Sequence, residues 1–292
     1  MSSVLVTGCN GYIGSHVVKI LADQGHWIEG WDINIYNDDH NDVKSYLNEF
    51  NDVDVTIAED VFGEYDSVVH LGGLSVVPLS MEYPSSYYNT NINGTKNIVD
   101  NIETDHIIFA STSAAWEMAS PYARSKVCAE DVIKENSDGY TIFRFFNVSG
   151  SNGVQRQIGP ASHLIRVAAE VACGKRNEMV IHGTDYDTRD GTCIRDYVHV
   201  VDLANAIVLA ATTKPRNTPY ECLGSNTGFS VREVIKTMKD VTGIDFNIVE
   251  GPRRVGDAVS SVVDELSPLI SLTKSIEDMC LDQYNLERGK NE

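Results

Sequence analysis

The segment VLVTGCNGYIGSHVVKILADQG (residues 4–25) constrains the fold more than any other. VLVTG is a short β-branched run ending in glycine, and YIGSHVVKILADQG repeats its apolar residues at helical spacing before a glycine stop. Between them, GCNGYIG sets Gly8, Gly11 and Gly14 at a strand-to-helix junction. Gly8 permits a tight turn, Gly11 lets backbone approach a pyrophosphate, and Gly14 allows close helix–strand packing. The helix N-terminus adds N–H donors and a favourable dipole. A second strand, WIEGWD (27–32), ends in Asp32, an acceptor for adenosine ribose hydroxyls. A glycine turn with no ligand is the plain alternative; the strand–turn–helix setting favours a dinucleotide. No Arg follows Asp32 in INIYND, so NAD is expected over NADP.

The same rhythm continues through the first half. DVKSYLNEF (42–50) suits a short helix and VDVTIA (53–58) a third strand. DSVVHLGG (66–73) reads as a fourth strand, 85–103 as a long helix and HIIFAS (106–111) as a fifth strand. Residues 122–135 read as a helix and YTIFRFF (140–146) as a sixth strand. Strands that are nearly all apolar and alternate with helices imply a parallel sheet covered on both faces. The expected class is α/β, a Rossmann-type doubly wound parallel sheet. After Asn147 the rhythm breaks. SGSNGVQRQIGP (149–160) is a polar, Gly-rich loop, and helices are expected near 161–173, 201–213 and 230–241. The expected division is an NAD-binding domain over 1–147, with later segments such as 190–225 returning to it. A smaller C-terminal α/β substrate-binding lobe would cover mainly 148–292.

Composition narrows the function class. The net charge of −19 argues against general binding to nucleic acid or anionic membranes, which needs clustered Lys and Arg. Any anionic ligand must be held by local donors. The six cysteines form no CxxC pair and no zinc spacing, so no metal is expected and the thiols read as free in a reducing compartment. The opening MSSVLVTG runs straight into a strand and no apolar run is long enough to span a membrane. A cytoplasmic protein is the expectation.

The chemistry is expected at ASTSAAWEMASPYARSK (110–126). Tyr122 and Lys126 are one helical turn apart and share a helix face. An ammonium beside a phenol favours phenolate, so Tyr122 would take a proton from a hydroxyl while hydride leaves the same carbon. Ser113, after the fifth strand, would hydrogen-bond the reacting oxygen. Pro121 suits a first helical position, so the helix can begin at the Tyr. A Tyr four residues before a Lys is common on helix surfaces; the dinucleotide loop and the position after the fifth strand give this pair its functional reading. Asp60 follows the third strand and could meet the adenine edge; taken alone, it reads more readily as a cap or loop Asp.

With these residues in place, the chain resembles the extended short-chain dehydrogenase/reductase superfamily, and within it the UDP-glucose 4-epimerases. Besides the opening VLVTGCNGYIGSH, the stretches that carry the likeness are HLGGLSVV (70–77), NINGTKNIV (91–99), FRFFNVSG (143–150), DGTCIRDYVHVVDLA (190–204), YECLGSNTGFSVREVI (220–235) and PRRVGD (252–257). The resemblance implies a tightly held, recycled NAD and a UDP-hexose epimerised through a 4-keto intermediate. It implies that Tyr12, Ile13, Asp32, Asp60, Val61, Leu71, Gly72, Gly73, Asn91 and Phe146 line the NAD site. It places Asn147, His163, Leu164, Arg195, Arg254 and Asp257 on the UDP-sugar, the two Arg on the diphosphate. Read without the resemblance, those Arg are surface ion pairs and Asn147 is a turn residue. Many relatives are homodimers through two helices, here about 85–103 and 121–136.

The chain departs from the resemblance at four points. Ser75 stands where relatives often have Lys, and Phe145 where they usually have Tyr. The link from Ser113 to Tyr122 is short, with nine positions between the two residues' numbers. At the position beside the sugar C2 substituent this chain has Ser261, whose size leaves room for an N-acetyl group. UDP-GlcNAc/GalNAc epimerisation is therefore one alternative. A 4,6-dehydratase is another, but no carboxylate follows Thr112 until Glu117. The non-enzyme alternative is a NAD-binding protein with a trimmed site.

Overall fold

The computed structural model describes residues 1–33, 43–153, 161, 163–254 and 257–289. The chain divides into two compact units, one of residues 1–145 with 204–222 and one of 146–203 with 223–292.

The first unit opens with β1 (Ser3–Thr7), α1 (Tyr12–Asp23), β2 (Trp27–Asp32) and β3 (Glu49–Asp52). It continues through β4 (Gly63–Tyr65), β5 (Ser67–His70), α2 (Val77–Glu82), α3 (Pro84–Tyr88), α4 (Gly94–Asn101) and β6 (Ile102–Thr104). β7 (Ile107–Thr112), α5 (Pro121–Asn136) and β8 (Tyr140–Phe145) complete its first stretch. The central sheet runs β3-β2-β1-β5-β7-β8 and then Glu221–Leu223, seven strands in all. Every pair from β3 to β8 is parallel, which is the Rossmann-type sheet expected from the alternation. The strand order reverses beside β1, with β2 on one side and β5 on the other. In such sheets the crevice beyond the carboxyl ends of the strands at this reversal is where ligands bind.

β1 is apolar because both its faces are covered: Val4, Leu5 and Val6 are fully buried. β2 carries Glu29 into the interior. Its carboxylate accepts from the Trp31 indole, the Asn51 amide and the Tyr65 hydroxyl, each at 2.7 Å. Three donors offset the cost of burying that group.

Three expected elements take a different form. The third strand is β3 at Glu49–Asp52, ahead of VDVTIA. Val53 and Val55 do point inward, into a core cluster with Leu5, Trp31 and Ile98, but they do so from a turn. The Asp54 carboxylate accepts from Thr56 N–H at 2.9 Å, and the Asp54 carbonyl accepts from Ile57 N–H at 2.9 Å. This Asp-initiated turn imitates strand alternation over two apolar positions. Of the expected helix at 42–50, only a 3-10 turn at 43–46 forms, and Asp42 lies outside the described residues. The long helix at 85–103 breaks into α3, one π-helical turn at Asn89–Asn93, α4 and then β6. Residues 154–160 of the expected loop and residue 162 of the expected helix at 161–173 also lie outside the described residues.

The second unit holds β9 (Asn147–Ser149), α6 (Leu164–Ala172), β10 (Met179–His182), β11 (Ile194–His199) and the first turn of α7 (Val200–Ala211). After β12 (Glu221–Leu223), which closes the large sheet, come β13 (Gly228–Ser230), α8 (Val231–Thr242), β14 (Ile248–Gly251), β15 (Ser260–Ser261) and α9 (Ile276–Arg288). β11 is its hub, pairing with β9, β13 and β15. Helices α6, α8 and α9 bury one core of Ile165, Val234, Met238, Met279 and neighbours. Helix α9 had no counterpart in the sequence reading. It begins at a capping box of Ser275 and Asp278 and stops at Gly289, φ 73°. Among the described residues, no helix is long and apolar enough to cross a membrane.

Candidate active site

The glycine loop is built by crowding. Gly8 has φ +70°, and a Cβ there would lie 2.8 Å from the Gly72 nitrogen. A Cβ on Gly14 would overlap the Gly8 carbonyl and sit 2.9 Å from the Cys9 Cα. The first turn of α1 therefore rests directly on the loop. α1 has no acidic residue in that turn and no side-chain cap hydrogen bond at Gly11. A helix N-terminus that follows a glycine loop favours an anionic group such as a pyrophosphate. Asp32 closes the far side of this glycine cradle, its carboxylate accepting from Asn10 N–H at 2.8 Å. Burial pushes the Asp32 carboxyl up to about 6, with the Asp52 charge adding to it and two backbone N–H groups opposing. Asp60 ends a 3-10 turn in the open, while the Val61 side chain is buried in the core.

The loop after β5 forms the opposite wall. Leu71 N–H donates to the Thr7 carbonyl at 3.2 Å, and Gly72 N–H to the Thr7 hydroxyl at 3.0 Å. Gly73 is bare because a Cβ there would press on Asn91 Oδ1 at 2.8 Å and lie 3.5 Å from Lys126 Nζ. The buried Asn91 side chain grips Leu74 by both backbone groups, accepting at 2.8 Å and donating at 3.0 Å. It also donates to the Ser125 hydroxyl at 2.9 Å. Asn91 thus braces this wall with its polar atoms already engaged.

Helix α5 carries the reactive pair. Ser120 caps it, accepting from Ala123 N–H at 3.1 Å, and Pro121 occupies the first turn. Tyr122 packs edge-on to Tyr87, with ring centroids 6.4 Å apart. Lys126 is only 5% exposed, with its ammonium 4.6 Å from the centre of the Phe109 ring. Burial pushes it down to about 8, and the Glu130 carboxylate one turn on works against that shift.

Beside Tyr122 lies the Thr112 hydroxyl, at the end of β7, which acts to lower its phenol. Ser113 opens a 3-10 turn at Ser113–Trp116, which Thr112 caps by accepting from Ala114 N–H at 3.2 Å. The Tyr122 phenol lies above its ordinary value, because burial outweighs the Thr112 hydrogen bond. Burial disfavours the phenolate and is the largest influence on this side chain.

The short link beyond Thr112 is tied down. Trp116 donates its indole N–H to the Tyr220 hydroxyl at 3.2 Å, and Arg144 lies 3.8 Å from the Tyr220 ring centre. Met118, at φ 49°, has its carbonyl held by Arg124 at 3.0 Å. Glu117 is exposed. Ser75 is exposed and Phe145 buried.

In the second unit, β11 gathers several of the expected sugar-site residues. Arg195 pairs with Asp257 at 3.5 Å and sits in register with Ser261 on β15. The Arg254 carbonyl accepts from Asp257 N–H at 3.3 Å, and the Arg254 side chain is exposed. Asn147 donates to the Asp196 carbonyl at 2.8 Å, so its amide joins β9 to β11. Phe146 is buried, its N–H donating to the Leu223 carbonyl at 3.1 Å. His163 is exposed at the N-cap of α6, and Leu164 packs against the unit's core. Among the described residues, no group of three or more His, Cys, Asp or Glu could hold a metal ion.

The model of the NAD dependent epimerase/dehydratase family matches residues 4–222. The UDP-glucose 4-epimerase of Halalkalibacterium halodurans is 34% identical over 89% of this chain and 86% of its own length. The solved UDP-glucose-4-epimerase of Stenotrophomonas maltophila, with bound NAD and formylated UDP-arabinopyranose, matches with a TM-score of 0.87. It is 28% identical and covers 99% of this chain and 98% of that one. The UDP-Glc/GlcNAc 4-epimerase of Campylobacter jejuni matches at 0.81 and 30% identity, covering 99% of this chain and 100% of that one. With the family model matching residues 4–222 and these likenesses running along nearly the whole length, the chain belongs to the NAD dependent epimerase/dehydratase family and, within it, to the UDP-glucose 4-epimerases.

Proposed function

We propose that this protein interconverts UDP-galactose and UDP-glucose, an NAD-dependent isomerase acting through a 4-keto intermediate. The observation that carries the reading is Tyr122, hydrogen-bonded by Thr112 and one helical turn from the buried Lys126, on the same unit as the glycine cradle. The N-terminus of α1 behind the glycine loop would hold the pyrophosphate of NAD, and Asp32 its ribose. NAD when bound supplies the hydride acceptor and donor at the sugar C4, and its cationic ring favours an ionised phenol beside it. Tyr122 would take the proton of the 4-hydroxyl and later return it to the same oxygen, once hydride has come back to the opposite face of C4. Ser113 would donate to the reacting oxygen, with the Thr112 hydroxyl beside Tyr122. Lys126 supplies the positive charge that stabilises phenolate. Arg195 and Arg254 would take the UDP diphosphate, with Asn147, His163, Leu164 and Asp257 beside the nucleotide sugar.

Purified protein given UDP-galactose without added NAD should release UDP-glucose. Tyr122→Phe should stop this while retaining NAD, and Ser113→Ala should cost about 100-fold. A turnover-competent Tyr122→Phe protein would remove the reading.

The N-acetylated substrates form a second reading. Ser261 is small and lies beside Arg195 in the sheet register, and the similar Campylobacter jejuni protein bears both sugars in its name. Turnover of UDP-galactose but none of UDP-N-acetylgalactosamine would dismiss it. The dehydratase reading lacks its acid, because Glu117 is exposed beyond the 3-10 turn. We further propose a cytoplasmic homodimer formed through the segments 85–103 and 121–136. The free cysteines, four of them buried, suit a reducing compartment.

A further inference from the structure

We propose that His70 is a positioning residue for the cofactor, a neutral imidazole that fixes the loop 71–74 against the glycine cradle. The inference deepens the NAD reading above and rests on it. β5 is SVVH, and its last side chain is fully enclosed, 1% exposed. His70 Nδ1 lies 2.7 Å from the Thr7 hydroxyl and Nε2 lies 3.1 Å from the Thr95 hydroxyl.

The neighbouring bonds settle which nitrogen carries the proton. The Thr95 hydroxyl spends its hydrogen on the Asn91 carbonyl, at 2.7 Å. Toward His70 it can therefore only accept, so Nε2 bears the hydrogen. Nδ1 then presents a lone pair and accepts from the Thr7 hydroxyl. That leaves the Thr7 oxygen to accept from Gly72 N–H at 3.0 Å. One directed chain runs from Asn91 back through Thr95, His70 and Thr7 to the backbone of the loop. Burial holds the imidazole down to about 3, so it stays neutral at every pH at which the protein works.

The two ends of this chain meet again on the other side of the loop. Asn91 sits in the π-helical turn, and its side chain grips Leu74 and the Ser125 hydroxyl. Ser125 in turn donates to the Tyr122 carbonyl at 2.8 Å. The loop is thus held at Gly72 by Thr7 and at Leu74 by Asn91, and Lys126 Nζ lies just beyond Gly73. His70 links the two anchors, contacting Thr7 directly and the Asn91 carbonyl through the Thr95 hydroxyl.

The two halves of the imidazole can be separated. His70→Asn keeps an acceptor near Nδ1 and loses the donor to Thr95. His70→Gln keeps polar atoms near Nε2 and loses the acceptor for Thr7. His70→Phe keeps bulk and loses both. NAD affinity is read by fluorescence titration on cofactor-stripped protein, with melting temperature as the control for folding. His70→Asn should hold NAD near the wild-type level, because the Thr7–Gly72 anchor survives. His70→Gln and His70→Phe should bind about tenfold more weakly, the equivalent of one lost hydrogen bond. The proposal is overturned if His70→Phe binds NAD as wild type does. It is also overturned if all three variants weaken NAD equally in step with melting, which would mark plain packing. Wild-type protein that binds NAD but epimerises nothing would sink the catalytic reading and leave this one standing.

Discussion

Replacing Lys126 with Met should stabilise the cofactor-free protein while ending turnover. The ammonium is 5% exposed and is pushed from 10.5 to about 8, chiefly by burial. A Lys whose folded value lies below its unfolded value carries its charge at a cost. The unfolded chain holds the proton more tightly between those two values, so the wild type gains stability as pH rises from about 8 to 10.5. At roughly 1.4 kcal/mol per unit, the cost at neutral pH is on the order of 3 kcal/mol. The Phe109 ring, 4.6 Å away, offsets part of this; such contacts contribute about 0.5–2 kcal/mol. Lys126→Met keeps the length and removes the charge, so a net gain of roughly 1–3 kcal/mol is expected near pH 7. Urea unfolding of both stripped proteins, followed by far-UV circular dichroism, measures it. The advantage should shrink toward zero by about pH 10.5. A Met variant that is less stable near neutrality, or a difference that ignores pH, would refute the reasoning.

Gly14→Ala should lose NAD and about 1–3 kcal/mol of stability, since its methyl would overlap the Gly8–Cys9 backbone. Gly25→Ala, at φ +77° but in open space, should cost about 1 kcal/mol and keep NAD, as read by melting and bound-nucleotide absorbance. NAD affinity should weaken as pH falls through about 6, because a protonated Asp32 no longer accepts from a ribose hydroxyl. The slope should approach tenfold per pH unit at most. Isothermal titration checks it, and an equal slope in Asp32→Asn would assign the effect to another group.

The sequence by itself determined the parallel sheet, the glycine cradle and the Tyr122/Lys126 helix. Each is written in local spacing: apolar runs of strand length, glycines at a strand–helix junction, and two residues one turn apart with a proline start. Short-range signals of this kind do not depend on what lies across the core. They misled where a local pattern had two solutions. Val53 and Val55 alternate as a strand would, yet the Asp54 turn buries them without one. Residues 85–103 look like one helix, yet the chain makes a π-turn there, in which Asn91 is buried.

Only the tertiary structure decided how the chain leaves the fifth strand of the sheet: β7 ends at Thr112, and Ser113 begins a 3-10 turn. The His70 chain was likewise out of reach. It joins residues 63 positions apart at one bond and 25 at the next. The one hint was a histidine closing an apolar strand. The Tyr122 phenol, raised by burial, has the same origin. Desolvation is set by everything packed around a group, and that sum exists only once the chain has folded.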